Sequence, residues 1–169
     1  MVPPEREAAG VRGNRPRLRG EAVLKPRTAP PVPAAEAARK RVLFVCIGNS
    51  CRSQMAEAFA RAYGSDVIIP HSAGLAPAVM LAPLAIQVLR DKKVGVEGQF
   101  PKSLLAFAHQ PFDVIVNMSG QPLAGAQTRV IDWSVPDPIG QKEEVYRSVA
   151  NQIEALIMRL ILDLRAGRL

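Results

Sequence analysis

Cysteine and histidine are scarce in this chain, with two of each among 169 residues. Cys46 and Cys51 stand five positions apart, and His71 and His109 are not grouped with them. A structural zinc site needs a full tetrahedral ligand set, usually built on closely spaced cysteine pairs. No metal is therefore expected. The Gly-Lys-Ser/Thr of a nucleotide P-loop is missing too, and no cofactor is expected. Long apolar runs are absent: Val42–Val45 and the stretch ALIMRLILDL are too short to cross a bilayer, and charges interrupt the second.

Charge and proline are unevenly spread. Residues 1–41 hold ten Lys or Arg against four Asp or Glu, and the rest holds twelve against eleven, so +6 and +1 make up the formal +7. Seven of the fifteen prolines also lie in that first stretch. Residues 1–39 have no aromatic side chain and no sustained apolar run. Such a segment buries too little surface to offset its ordering entropy, so a disordered basic tail is expected. Scattered arginines attract phosphates, but without interleaved aromatics no specific nucleic-acid partner is expected, and no membrane partner either. The tail lacks the apolar core of a secretory signal. A cytoplasmic location is the resulting expectation, and a reducing compartment would keep both cysteines as thiols.

From residue 40 to 169 the signals alternate between strand and helix. RVLFVC reads as a buried strand, and a helix starts near Ser53, with Ala56, Phe59, Ala60 and Tyr63 on one stripe and Gly64 at its end. DVIIP reads as a second strand closed by Pro70, and residues 81–92 as a helix that tolerates Pro83 only in its first turn. FDVIVNM and TRVIDW read as two more strands, and a long helix follows DPIG. This order predicts an α/β fold: one three-layer domain with a four-stranded parallel sheet flanked by helices. Ligands in such folds sit at the carboxyl ends of the strands, which is where Cys46 falls.

Cys46 is followed by five residues, then Arg52 and Ser53. A short loop between a strand and a helix N-terminus turns its backbone N–H groups inward and forms an anion cradle. The oxyanion-binding segment is therefore Ile47, Gly48, Asn49, Ser50, Cys51, Arg52 and Ser53. Gly48 lets the backbone approach closely, and Asn49 tolerates left-handed geometry. Arg52 offers a planar fork to two oxygens. In that field Cys46 is expected to act as a thiolate nucleophile, with Ser53 donating to the sulfur. A buried, inert cysteine is the competing reading. Phosphoryl transfer also needs a proton donor. Asp137, in the proline-bracketed WSVPDPIG, is either that donor or a turn residue capping the last helix, and the two readings weigh evenly.

VLFVCIGNSCRSQMAEAFAR, HSAGLAPA, FDVIVNMSG and WSVPDPIG resemble the low-molecular-weight protein tyrosine phosphatase family, which shares its fold with thioredoxin-coupled arsenate reductases. The resemblance covers roughly residues 40–165 and implies a two-step mechanism. Cys46 attacks phosphorus and forms a phosphocysteine; Asp137 protonates the leaving group and then activates water. It also implies that Asn49, Ser53 and Ser72 support the loop. Cys51 matches a redox partner that can form a reversible disulfide with Cys46. GNSCRSQMAE looks most like the reductase branch, but Ser119 stands where a relay cysteine would fall, and QPLAGAQ holds none. Tyrosine-directed members usually carry tyrosines after Asp-Pro, whereas Ile139 and Gly140 follow here. DPIG followed by VY, together with Ser50, is similar to bacterial protein arginine phosphatases. The leading expectation is a cysteine-dependent phosphatase acting on phosphotyrosine or phosphoarginine in protein, or on small phosphomonoesters. The alternatives are an arsenate reductase served by an external thiol reductant, and a non-catalytic oxyanion-binding module.

Overall fold

The computed structural model describes residues 39–123 and 125–169. The tail expected over residues 1–39 lies outside the described residues except for Arg39. Four strands form one parallel sheet in the order β2-β1-β3-β4: β1 Lys40–Cys46, β2 Ile68–Gly74, β3 Val114–Asn117 and β4 Arg129–Asp132. Three helices connect or follow them: α1 Arg52–Tyr63, α2 Pro83–Asp91 and α3 Glu143–Arg165. Pro83 opens α2, where a missing N–H costs nothing.

Side chains alternate across β1. Val42, Phe44 and Cys46 face a core built with Met55 and Phe59 of α1, Val88 and Leu89 of α2, and Ile153, Ile157 and Ile161 of α3. Leu43 and Val45 face the other way, toward Leu75, Leu104, Phe107, Phe112 and Ile115. The three layers are thus uneven. All three α-helices cover one face, while the opposite face carries the 3-10 turn Leu104–Phe107 and loops. Phe44, Phe59 and Met55 are fully buried, and burying each such side chain stabilises by about 1.5–3 kcal/mol. Among the described residues no helix is long and apolar enough to cross a membrane.

The second strand corrects the sequence reading. It does not close at Pro70 but runs through it to Gly74, with Pro70 paired to Val42 and Gly74 to Cys46. β2 is an edge strand, and there the missing proline N–H removes no ladder bond on the open side. The extra residues carry the chain to the level of Cys46. β1 lies between β2 and β3, which leave in opposite directions, so Cys46 ends at the point where the strand order reverses.

Candidate active site

Between β1 and α1 the chain turns through residues 47–51. The carbonyl oxygens of this turn are all tied to donors on the protein side. Cys46 O accepts from Leu75 N at 3.1 Å, Ile47 O from Ala76 N at 2.9 Å, Gly48 O from Ala78 N at 2.8 Å, and Ser50 O from Ala82 N at 2.9 Å. Asn49 O accepts from the Gln54 side chain, Nε2, at 3.0 Å, and Cys51 O from Met55 N at 2.8 Å. A trans peptide points its N–H opposite its C=O. Fixing the carbonyls outward therefore turns the intervening N–H groups toward the inside of the loop, beside the sulfur. The outward carbonyls that an anion cradle would need are held mainly by the segment 75–82, whose role the sequence reading missed.

The turn requires Asn49 at φ 46°, the left-handed region that Asn enters with little strain. Its N–H donates to Cys46 Sγ at 3.3 Å, and its Nδ2 donates to Ser53 Oγ at 2.8 Å. Ser53 Oγ lies 3.0 Å from the same sulfur. Both sulfur contacts strengthen when the sulfur is anionic. The glycine that the loop needs for space is Gly74. A Cβ there would lie 2.7 Å from Ile47 O and 2.9 Å from Asn49 N, whereas a Cβ on Gly48 would meet nothing closer than 3.4 Å.

Arg52, the first residue of α1, is buried. Its Nη1 donates to Met118 O at 2.8 Å and Val135 O at 3.2 Å, and its Nη2 to Asp137 Oδ2 at 2.5 Å. The Nε–H and the second Nη2–H make no bond to the described residues, which keeps one edge of the fork available for an oxyanion. Asp137 also accepts from Ile139 N at 3.2 Å. It does not cap α3, whose N-cap is Lys142 without a side-chain cap bond. Asp137 thus holds the turn through Oδ1 while its Oδ2 meets Arg52, and the helix cap expected of it is not formed.

Cys46, Ile47, Gly48, Ser50, Cys51, Arg52 and Asp137 line one cleft of about 230 Å³, together with Ala78 and Ile139. Asn49 and Ser53 lie buried beneath it. Ser72 is not in the cleft. Its hydroxyl donates to Glu57, which also pairs with Lys102 Nζ at 3.4 Å, and the Lys102 backbone N–H donates to Asn49 Oδ1 at 2.7 Å. Ser72 thus reaches the loop only through Glu57 and Lys102. Both cysteines are free and buried. Burial, then the nearby Cys46 and Asp137, push the Cys51 thiol far up, against a smaller opposing pull from Arg52. A larger cavity of about 780 Å³ opens on the opposite face of the sheet, between Leu104 and Thr128, and contains neither cysteine.

A cysteine sulfur, outward-held loop carbonyls, a guanidinium and a carboxyl group meet in one cleft at a strand end, the set of groups that a cysteine-based, oxyanion-handling α/β enzyme would need. The sequence profile of the low molecular weight phosphotyrosine protein phosphatases matches residues 41–168, and the chain belongs to that family. It is 35% identical over 127 residues to a glutaredoxin arsenate reductase of Synechocystis sp., covering 72% of this chain and 96% of the relative. A solved arsenate reductase in the phosphate binding state superposes with a TM-score of 0.68 at 34% identity, covering 74% of this chain and 98% of that one. An arginine phosphatase from Geobacillus stearothermophilus superposes with a TM-score of 0.66 at 27% identity, covering 76% and 95%.

Proposed function

We propose that the protein is a cysteine-dependent phosphatase that hydrolyses phosphomonoesters or phosphorylated side chains of proteins through a phosphocysteine. One observation carries the reading: Asp137 and Cys46 share a cleft with the cradle and Arg52, in a chain whose only other thiol is Cys51. In the first step Cys46 Sγ attacks phosphorus, the S–P bond forms, and the bond to the leaving atom breaks as Asp137 gives that atom a proton. In the second step Asp137 takes a proton from water, the water oxygen attacks phosphorus, and the S–P bond breaks. Ser53 steadies the departing sulfur. The loop amides and the Arg52 edge hold the phosphoryl oxygens as charge builds on them.

The rim bears on the choice of substrate. Ile139 is half exposed beside Asp137, and Ser50 supplies a hydroxyl to the cleft wall. The small polar side chain of Ser50 suits a guanidinium-borne phosphoryl group, and the likeness to a solved arginine phosphatase supports that reading. Phosphoarginine in protein is therefore placed ahead of phosphotyrosine.

The named relatives support a second reading, arsenate reduction. Cys46 Sγ would attack arsenic, and the S–As bond would form as one As–O bond breaks and its oxygen, protonated by Asp137, leaves as water. A thiol would then attack the Cys46 sulfur, forming a disulfide while arsenic takes the electron pair and leaves as arsenite. Cys51 suits that attack poorly, because burial, with the nearby Cys46 and Asp137, raises its pKa and disfavours the attacking thiolate. That reading therefore favours an external thiol over Cys51 as the reductant. Purified protein assayed in parallel on phosphoarginine, phosphotyrosine, and arsenate with glutathione, glutaredoxin or thioredoxin separates the readings. Phosphate release lost in Cys46→Ser supports the phosphatase. Arsenite formation without phosphoester turnover replaces it with the reductase.

A further inference from the structure

Gln54 stands in the first turn of α1, buried and one step from the reacting loop without touching the cleft. Its Nε2 donates to Asn49 O at 3.0 Å, to Asn49 Oδ1 at 3.0 Å and to Phe100 O at 2.8 Å. Its Oε1 is buried without a partner. The orientation of this amide is therefore fixed: turned over, it would set an oxygen against three oxygens.

From these contacts we infer that Gln54 is a positioning residue that sets the direction of the hydrogen-bond chain ending on Cys46. Two donors, Gln54 Nε2 and the Lys102 N–H, converge on Asn49 Oδ1. They force the Asn49 side chain to present Nδ2, and not its oxygen, to Ser53 Oγ. Ser53 then accepts from Asn49, and its single hydroxyl proton is left for the sulfur. By holding Asn49 O as well, Gln54 turns the Ser50 N–H into the cradle. A polar residue in a helix that packs on every side otherwise has no reason to lie in the core. The inference rests on Cys46 as the reacting group and does not depend on which oxyanion is turned over.

The test uses Gln54→Met, which keeps length and volume and removes the donor. Two readouts need no turnover: the pH midpoint of Cys46 alkylation by iodoacetamide, and affinity for inorganic phosphate. The midpoint is expected to rise by about half a pH unit, a roughly threefold slower reaction below it. Phosphate affinity is expected to fall several-fold. In a Ser53→Ala background the same substitution should leave the midpoint where Ser53→Ala alone puts it, because the route runs through that hydroxyl. An unchanged midpoint, or an equal rise in both backgrounds, overturns the inference. Should Gln54→Met not fold, side-chain amide NMR of the wild type decides. The Gln54 and Asn49 signals should shift with the alkylation midpoint, and a static Gln54 signal sinks the relay. A wild type that alkylates as expected but releases no phosphate from any ester fails the proposed function and leaves this inference standing.

Discussion

Gly74→Ala tests the packing that shapes the loop. The substitution adds one methyl group at the end of β2, in a backbone conformation that alanine adopts freely, so space alone is perturbed. That methyl would lie 2.7 Å from Ile47 O and 2.9 Å from Asn49 N and Cβ. These contacts are mostly backbone, and the backbone is held on both sides: Ile47 O by Ala76 N, and Gly74 N by Lys102 O at 2.8 Å. No flexible side chain can swing away, so the loop or the strand end must move. Overpacking of this kind costs about 1–3 kcal/mol. A domain of this size should then melt roughly 3–10 °C lower. Because the displaced atoms belong to the cradle, phosphate affinity should fall about tenfold to a hundredfold. Differential scanning fluorimetry and calorimetric titration with phosphate measure both effects. A Gly74→Ala protein with wild-type melting and wild-type affinity would refute the packing argument.

Asp137→Asn should slow phosphate release about 10²–10⁴-fold for esters with poor leaving groups and much less for good ones, as steady-state rates against leaving-group pKa would show. Cys51 should stay unlabelled by iodoacetamide at pH 8 while Cys46 reacts, since burial first and the charges of Cys46 and Asp137 second raise its pKa; peptide mass spectrometry reads this directly. The same shift has a stability consequence. Folded Cys51 holds its proton above the ordinary thiol value of 9.0, so its contribution is complete below that pH. It declines above it by up to about 1.4 kcal/mol per pH unit, and urea melts of Cys51→Ala at pH 8 and 10 should show a smaller loss than wild type. His71 behaves in the opposite sense. Burial foremost, then the positive charge of Arg41, hold its pKa below 6.5, with Lys102 and Arg61 adding to the effect and Glu57 opposing it. Its stabilising contribution is present above that value and is lost as pH falls below it, so His71→Gln should flatten the acid side of the stability profile.

Residues close in sequence carried most of what could be read without coordinates. The Cys46–Arg52–Ser53 spacing is read directly along the chain; the α1 stripe, the long last helix and the parallel sheet follow from local periodicity, and the structure bears out these elements in the strand order and the helices. What stayed hidden depends on segments distant in the chain. Pro70 reads as a strand end until β2 is known to lie at the edge of the sheet. Gln54 and Glu57 lie off the Ala56, Phe59, Ala60 and Tyr63 stripe and drew no reading from the sequence. They are buried because α1 is enclosed by the sheet, the other helices and the 99–102 segment, and they find partners in Asn49, Phe100, Ser72 and Lys102. The outward carbonyls need the N–H groups of residues 75–82, which no local pattern announces. Helical cover on one face only, with the other left to a short turn and loops, was likewise set by contacts and not by the strand–helix alternation.

The central claim is that Cys46 carries the phosphoryl group during turnover. Rapid acid quench of the wild type during hydrolysis, followed by peptide mass spectrometry, tests it most directly. A phosphoryl adduct on the peptide containing Cys46, absent along with turnover in Cys46→Ser, is the predicted result. Undiminished phosphate release by Cys46→Ser, or an adduct on another residue, would contradict it.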